Sequence, residues 1–352
     1  METKVIVIDE NDIDETAQAG LEEAGRIIKE GGLVAFPTET VYGLGGDALN
    51  PESSKKIYAA KGRPSDNPLI VHVANMEDLA DIVKEVPESA KKLAKAFWPG
   101  PLTMIMNKNE KVPYETTGGL DTVAIRMPNN KIALELIRQS GGYIAAPSAN
   151  TSGRPSPTIA RYCEEDLSGK IEMIIDGGQV GIGLESTIVD LTSDVPMILR
   201  PGYITASMLK DVLGEISIDR TIIDGSSAEK PKAPGMKYRH YAPKGQLMIV
   251  QGQQDNVVDY INKSTKEAMA EGKRVGIIGT DATMKLYSAD VVKSVGNRED
   301  ERTIAHELFK VLREFDDENI DVMFSESFDD SGIGQAIMNR LLKAAGHNVK
   351  VV

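Results

Sequence analysis

Cysteine and histidine are scarce in this 352-residue sequence, which contains one cysteine and four histidines. The single cysteine, Cys163, excludes an intramolecular disulfide and leaves no cluster for a cysteine-ligated metal. Such cysteine usage is typical of the reducing cytoplasm, so we expect a cytoplasmic protein. The histidines are scattered along the chain. His72 has no second histidine and no carboxylate at metal-ligand spacing, so the sequence disfavours a zinc site.

Long apolar runs are also missing, and no stretch of about 18 apolar residues predicts a membrane span. The first residues, METKVIVIDENDIDE, are acidic and lack a basic region followed by an apolar core, so they do not resemble a signal peptide. The chain has 53 acidic and 40 basic residues, which gives a net charge of −13. This charge argues against non-specific adhesion to nucleic acid, and we expect no direct DNA binding. A polyanionic ligand would need a local basic pocket.

Helical and apolar segments alternate along the whole chain, and this alternation predicts an α/β protein. Many short apolar segments in residues 1–220 predict a twisted, mixed sheet with flanking helices. Residues 221–245 are rich in proline and glycine without apolar periodicity, which predicts a linker. Residues 246–352 alternate strands and helices again, and they predict a smaller, Rossmann-like α/β domain with a parallel sheet.

The segment GLGGDA, from Gly43 to Ala48, matches a permissive form of the dinucleotide-binding loop. Val41 and Tyr42 separate it from the preceding predicted strand, and no helix opens directly from it. A lone match of this kind is weak, so a tight turn is the favoured interpretation.

The segment KGRPSDNPLIVH contains Lys61, Arg63 and Asn67 between residues that stiffen the backbone. Its two prolines fix φ and lower the entropy cost of holding these side chains in place. Lysine is a compact point charge, and arginine is a planar fork that suits phosphate oxygens. The segment predicts either an anion-binding loop beside a buried strand or a solvated surface turn, and its residues alone do not decide between them.

Two further segments carry polar residues in or beside predicted strands. Arg126 lies in DTVAIRMP, and a buried arginine must meet either an internal carboxylate or the carboxylate of a ligand. Thr38 and Thr40 lie at a strand end, where short hydroxyls either bind a ligand or cap their own backbone. For the threonines, capping of their own backbone is the favoured interpretation. For His72, the favoured interpretation is a core histidine whose hydrogen bonds are made within the protein.

Hydroxyls and amides follow the predicted strand YIAA, at the kind of strand end where α/β sheets bind ligands. They are Ser148, Asn150, Ser152 and Ser156. The alternative is a serine- and proline-rich loop that caps its own backbone. The segments GLESTIVDL and ILRPG add Ser186, Thr187 and Arg200, and this arginine could be a second clamp on the same polyanion. No histidine stands at the spacing of a hydrolase elbow.

Together, the segments FPTETVYGLGGDA, KGRPSDNPLIVH, DTVAIRMP, PSANTSGRPSPT, ESTIVD and ILRPG resemble the YrdC-like threonylcarbamoyl-AMP synthases. They run in the family's order from about residue 20 to residue 205. The family's Lys-x-Arg and Ser-x-Asn pairs correspond to Lys61 with Arg63 and Ser148 with Asn150. APGMKYRHYAP, followed by an α/β segment, resembles the longer branch of the family, which carries an extra C-terminal domain.

The resemblance implies that L-threonine, bicarbonate and ATP, with Mg²⁺ on the triphosphate, give threonylcarbamoyl-AMP and pyrophosphate. The product would feed the threonylcarbamoyl modification of tRNA through a separate downstream transferase. It implies catalytic roles for Lys61 and Arg63. Threonine contacts would be Thr40, His72, Arg126, Ala146 through its backbone, and Ser186. ATP contacts would be Arg63, Asn67, Thr122, Ser148, Asn150, Ser156 and Arg200. Since a carbamate and a mixed anhydride are both labile in water, we also expect the site to close, with the linker and its Tyr238, His240 and Tyr241 as the lid.

Two other functions remain as alternatives at this point. An RNA-binding module without nucleotide turnover could use a basic concavity, although the net charge argues against it. The second alternative is carbamoyl transfer, as in hydrogenase maturation proteins that contain a related domain. Those proteins carry acylphosphatase-like and zinc-finger segments, which this sequence with its one cysteine lacks.

Overall fold

The chain divides into two compact units in the structure, a computed structural model that describes residues 1–219, 233 and 240–352. The first unit comprises Met1–Ser152, Ser156–Gly181 and Glu185–Lys237, and the second comprises Gly153–Pro155, Ile182–Leu184 and Tyr238–Val352. Most of the predicted linker, 221–245, lies outside the described residues. The predicted boundaries 1–220, 221–245 and 246–352 therefore stay predictions.

The first unit is built on an eleven-stranded mixed sheet. Its strands are β1 (Lys4–Val7), β2 (Val34–Phe36), β3 (Gly43–Asp47), β4 (Ile70–His72), β5 (Leu102–Asn107), β6 (Thr122–Arg126), β7 (Ile144–Ala145), β8 (Met173–Asp176), β9 (Thr187–Asp190), β10 (Met197–Arg200) and β11 (Ser217–Ile218). Their spatial order is β1-β8-β2-β3-β7-β4-β6-β5-β9-β10-β11. Parallel and antiparallel pairs both occur, as in β4 with β6 and β5 with β6. The predicted mixed sheet is confirmed.

Seven α-helices of the first unit lie in its described residues. They are α1 (Glu15–Lys29), α2 (Pro51–Lys61), α3 (Glu88–Phe97), α4 (Tyr114–Thr117), α5 (Lys131–Gln139), α6 (Ala160–Leu167) and α7 (Ala206–Leu213). A 3₁₀ turn spans Glu77–Asp81. Side-chain caps begin several of the helices: Asp14 accepts from the Ala17 N–H at 2.8 Å, and Asn130 accepts from the Ala133 N–H at 2.9 Å. Such caps satisfy backbone donors that the first helical turn leaves unpaired.

Two apolar clusters fill the two sides of this sheet, because successive side chains of a strand point to opposite faces. Val34 and Phe36 of β2 pack with the buried stripes of α1 and α5. Ala35, between them, packs in the second cluster with residues of α2, α3 and α7. Val71 of β4 and Ile125 of β6 also belong to the second cluster. Their neighbours on each strand therefore point to the face that α1 and α5 partly cover.

The GLGGDA segment is not the tight turn that its sequence suggested. Gly43–Asp47 forms β3, which pairs antiparallel with both β2 and β7. Absent side chains explain the difference: a Cβ on Gly45 would lie 2.9 Å from the Phe36 ring and 2.8 Å from Ile144. Glycine here lets large neighbours close over a buried strand. A strand in this position leaves no dinucleotide loop.

The second unit contains a five-stranded parallel sheet in the order β14-β13-β15-β12-β16. Its strands are β12 (Gln246–Gln251), β13 (Val275–Gly279), β14 (Val291–Ser294), β15 (Val322–Glu326) and β16 (Val349–Val351). Its α-helices are α8 (Gln254–Ala270), α9 (Glu301–Asp317) and α10 (Gly334–Ala344), and a 3₁₀ turn spans Met284–Leu286. This agrees with the predicted parallel α/β arrangement. Among the described residues, no helix is long and apolar enough to cross a membrane.

Candidate active site

A row of polar side chains crosses the first sheet on the face opposite Val71 and Ile125. His72 of β4 and Thr103 of β5 both stand opposite Arg126 of β6 in the strand register. The Thr103 and Ser186 hydroxyls are 2.7 Å apart, and Arg200 Nη2 donates to Ser186 Oγ at 3.1 Å. Neighbouring strands lie about 4.8 Å apart, so the strand ladder itself brings these side chains together. We call His72, Arg126, Thr103, Ser186 and Arg200 the polar row.

A second row on the same strands is apolar. Its members lie two residues from polar-row positions on β4, β5, β6 and β9, and next to Arg200 on β10: Ile70, Ile105, Ala124, Ile188 and Leu199. We call them the apolar row. Their cluster contains no helical residue within the described part of the chain, whereas the cluster of α1 and α5 draws on β2, β7 and β8. Within the described residues, α1 and α5 thus pack against one part of this face and not against the apolar row.

Arg126 is the buried centre of the polar row. It is 4% exposed, and its Nη2 lies 2.6 Å from Oε2 of Glu39. Its Nη1 donates to Thr40 Oγ1 at 2.8 Å, and the hydroxyls of Thr38 and Thr40 are 2.9 Å apart. The sequence left open whether this arginine meets an internal carboxylate or a ligand. The structure supplies an internal one, Glu39, which the sequence analysis did not single out although it lies between the two threonines.

His72 lies beside the charged guanidinium of Arg126 but is itself uncharged. Its Nδ1 is 3.1 Å from the Ile70 carbonyl oxygen, and its ring meets Phe36 edge-on. Burial, and secondly the nearby Arg126 guanidinium, lower the pKa of His72 from 6.5 to about 3. Both causes disfavour the imidazolium form. The ring is therefore neutral at physiological pH.

The depressed pKa of His72 predicts acid sensitivity. Between pH 3 and 6.5 the unfolded chain binds a proton at this residue that the folded chain does not, so stability falls as pH decreases through this window. The slope from this one group reaches about 1.4 kcal/mol per pH unit. We expect His72→Asn to lose less stability than the wild type between pH 6.5 and 4, as measured by urea unfolding. The exposed His347→Asn is the matched control. Equal slopes in the wild type and His72→Asn would contradict the prediction.

Lys61 lies at the last residue of α2, not in a loop. Gly62 follows with φ of 61°, the left-handed C-cap that commonly ends a helix. The Lys61 side chain is buried, and its ammonium group donates to the carbonyl oxygens of Ser148 and Asn150. The Asn150 side-chain oxygen is 3.4 Å from the same nitrogen. The ammonium thus holds the backbone of the turn after β7, which contains Ser148 and Asn150.

Arg63 and Asn67 are also buried rather than solvated. Arg63 Nε donates to the Asn67 carbonyl at 3.3 Å, and its Nη2 donates to the Pro68 carbonyl at 3.1 Å. These bonds hold the loop that leads into β4. The Asn67 Oδ1 atom is buried and has no hydrogen-bond partner among the residues that the structure describes. A buried amide oxygen without a partner is costly, and it is the kind of group that a ligand satisfies.

The remaining predicted contacts lie along the same edge and face. The Ala146 N–H donates to the Ile70 carbonyl at 2.8 Å, so a ligand could meet only its carbonyl group. Ser148 Oγ donates to Asn150 Oδ1 at 2.5 Å, and Ser156 Oγ donates to Glu185 Oε1 at 2.6 Å. Thr122 begins β6, four residues before Arg126. At about 3.3 Å per residue this separates their backbones by roughly 13 Å, on one face with the apolar row between them.

The predicted lid is only partly described. Tyr238 lies outside the described residues. Tyr241 belongs to the second unit, has φ of 64°, and stacks on Phe309 with ring centroids 5.0 Å apart. His240 is described next to it. Ala233, from the predicted linker, is 0% exposed and packs in the cluster of the apolar row.

One sheet face thus combines buried charges, a neutral histidine and buried polar atoms that lack hydrogen-bond partners among the described residues. These are the features of an active site in an α/β enzyme. In the described part of the chain, no group of three or more His, Cys, Asp or Glu side chains could hold a metal ion.

Comparisons with known proteins identify the family. One family profile, described as "Telomere recombination", matches residues 26–202, and another, described as "Threonylcarbamoyl-AMP synthase, C-terminal domain", matches residues 204–346. The chain is 51% identical over 326 residues to a threonylcarbamoyl-AMP synthase of Pyrococcus abyssi, covering 93% of this chain and 94% of the relative. It is 49% identical over 350 residues to the enzyme of that name from Bacillus subtilis, covering 99% of both. A solved structure of P. abyssi Sua5 complexed with L-threonine superposes with a TM-score of 0.93 at 48% identity, covering 99% of this chain and 100% of that one.

The chain therefore belongs to the threonylcarbamoyl-AMP synthases, in their form with a C-terminal domain. It is an enzyme of the threonylcarbamoyladenosine modification of tRNA. The family and the fold that the motifs indicated are confirmed.

Proposed function

We propose that the polar and apolar rows together bind L-threonine and ATP on one sheet face and that the enzyme joins them through bicarbonate. One observation carries this proposal: the buried Arg126, which donates to Thr40, lies on a sheet face beside a hydrogen-bonded chain of Thr103, Ser186 and Arg200. Threonine and a nucleotide are small polar molecules that such a face can enclose. The residue assignments that follow rest on this geometry and on the family's motifs.

The threonine end of the site would be formed around Arg126. Its Nε has no hydrogen-bond partner among the described residues, and a carboxylate could bind the Nε–Nη2 edge in a bidentate manner. Thr40, neutral His72 and the Ala146 carbonyl would hold the amino and hydroxyl groups. Ser186 would close this end from β9.

The ATP end would extend from the loops toward Thr122. The base would lie over the apolar row, with Thr122 at its far end. Arg63 and Arg200 would meet the phosphates, together with Ser148, Asn150 and Ser156. The Asn67 oxygen, which has no partner among the described residues, would accept from the ribose. ATP would enter as its magnesium complex, because Mg²⁺ prefers phosphate and water oxygens and offsets the charge of the triphosphate.

The chemistry follows from bringing three reactants together. Bicarbonate loses hydroxide to give carbon dioxide, and the neutral amine of threonine attacks its carbon to form an N–C bond. The proton lost from nitrogen leaves with the hydroxide as water, which gives a carbamate. A carbamate oxygen then attacks the α-phosphorus, the bond to the bridging oxygen breaks, and pyrophosphate leaves. Positioning supplies much of the rate of such a reaction. Fixed cations such as Arg63 stabilise charge that develops at phosphorus. The product would pass to a separate transferase that modifies tRNA.

Pyrophosphate release tests this proposal directly. The protein is mixed with MgATP, bicarbonate and each amino acid in turn. We expect release to depend selectively on threonine and to require bicarbonate. Release that is indifferent to the amino acid, or salt-dependent RNA binding without any turnover, would overturn the proposal in favour of another class of protein.

Burial of Ala233 supports a role for the linker as a cover over the site. Carbamates and mixed anhydrides hydrolyse in water, so a cover would protect both intermediate and product. Ala233→Asp would bury a carboxylate in the apolar cluster, which is strongly unfavourable. We expect the variant to yield less intact threonylcarbamoyl-AMP for each ATP consumed and to turn over more slowly. The ratio of threonylcarbamoyl-AMP to pyrophosphate measures the first effect, and the rate of pyrophosphate release measures the second. Ala19→Asp, on the exposed side of α1, is the control. An unchanged ratio and rate in Ala233→Asp would refute the cover.

A further inference from the structure

Glu39 is a buried carboxylate with unused acceptor capacity. Its side chain is 12% exposed, against 5% for Arg126, and its Oε2 lies 2.6 Å from Arg126 Nη2. Apart from this ionic contact, neither carboxylate oxygen has a hydrogen-bond partner in the described part of the chain. An ionised carboxylate offers about four lone-pair sites. Buried charges are ordinarily paired and hydrogen-bonded, so this surplus requires an explanation.

Arg126 has the complementary surplus. Its Nη1 donates to Thr40, while Nε has no partner among the described residues. The pair thus holds spare acceptors on one member and a spare donor on the other, side by side inside the site. A free amino acid carries the matching charges, an ammonium group and a carboxylate that are both attached to the α-carbon.

Net charge supports the same match. The charges of Glu39 and Arg126 cancel, and His72 beside them is neutral, so these three side chains together add no net charge around the proposed amino-acid position. A zwitterion, which is also neutral overall, enters such a site without leaving an uncompensated charge in a low-dielectric environment. Without Glu39 the site would be cationic and would favour a simple carboxylate instead.

We propose that Glu39 binds the α-ammonium group of the amino-acid substrate while Arg126 binds its carboxylate, so that the pair selects an amino acid over a carboxylic acid of the same shape. This inference rests on the proposed threonine site. It adds a specificity-determining residue to that site, and the local sequence Thr38-Glu39-Thr40 puts it next to a predicted threonine contact.

Calorimetric binding of two ligands tests the inference. One is L-threonine, and the other is (R)-3-hydroxybutyrate, which has the carboxylate and hydroxyl of threonine but no amine. Loss of a charged hydrogen bond corresponds to a change of about ten- to a hundredfold in affinity. We expect Glu39→Gln to weaken threonine by that factor and to leave (R)-3-hydroxybutyrate unchanged or tighter. Glu39→Asp, which keeps the charge, should recover part of the threonine affinity.

The exposed Glu52→Gln on α2 is the matched control and should bind both ligands as the wild type does. Equal threonine affinity in Glu39→Gln and the wild type would overturn the inference. Equal weakening of both ligands would also overturn it, because Glu39 would then act only by holding Arg126 in place. If the wild type binds no threonine, the proposed function fails as well, and this outcome is distinct from the other two. Thermal unfolding of each variant verifies that it is folded.

Discussion

Replacing Arg126 with alanine is expected to raise the KM for threonine by two orders of magnitude or more while the KM for ATP changes little. Arginine is the fork that would bind the substrate carboxylate, and a bidentate, buried pair of this kind is among the strongest polar contacts. Arg126 lies at the centre of the polar row, about 13 Å along β6 from Thr122 at the ATP end. Steady-state pyrophosphate release, with each substrate varied in turn, measures both constants.

The same substitution carries a structural cost that must be separated from the kinetic one. Arg126→Ala leaves Glu39 buried without its partner, and removing one member of a buried pair costs about 3–5 kcal/mol of stability. In Arg126→Ala/Glu39→Ala both charges are gone, so we expect stability to recover while threonine binding stays weak. Arg138→Ala, at an exposed arginine of α5, is the control. Equal increases in KM for both substrates would contradict the role assigned to Arg126.

Much of this architecture could be predicted from the pattern of the sequence. Alternating helical and apolar segments indicated the α/β class. Local sequence also accounts for helix ends, since α2 ends before Gly62 and α3 ends just before Trp98-Pro99. The motifs indicated the family because each is a short set of chemically specific residues and the set occurs in the family's order. These features are local in sequence, so propensity, caps and motif spacing are sufficient to find them.

The composition of the polar row could not be predicted in the same way. His72, Arg126 and Thr103 stand side by side because β6 pairs parallel with β4 and antiparallel with β5. That register depends on long-range pairing, which no local pattern encodes. Thr103 was therefore missed. Glu39 was missed for a related reason, since its significance comes from a contact with Arg126 on another strand.

In β3, the sequence was misleading because glycine has two different structural uses. Its glycines predicted a turn, because glycine is the usual residue of tight turns. In the fold they are needed for close packing against Phe36 and Ile144 instead. The identity of a glycine does not reveal whether backbone freedom or absence of a side chain is being used. The burial of Ala233 was missed because its segment of the sequence has no apolar periodicity.

Lys61 connects stability with function in a way that its motif did not predict. The sequence suggested a cation presented to a ligand, but the structure gives its ammonium group a set of backbone acceptors at Ser148 and Asn150. These residues belong to the turn after β7, in which the Ser148 hydroxyl donates to the side-chain oxygen of Asn150. Lys61 would therefore act on the ligand by holding this turn in place. Its ammonium group also adds positive charge to the site.

Lys61→Met is therefore expected to lower both the free energy of unfolding and the rate of pyrophosphate release. Methionine keeps much of the length and the apolar stem but leaves the two carbonyl oxygens unpaired, at about 1–3 kcal/mol for each. We expect a loss of about 3 kcal/mol or more in urea unfolding and a fall of at least a hundredfold in kcat/KM for ATP. Lys55→Met, at an exposed lysine of the same helix, should change neither. If activity is lost while stability is unchanged, Lys61 acts on the phosphates alone, because the turn does not then need its charge to fold.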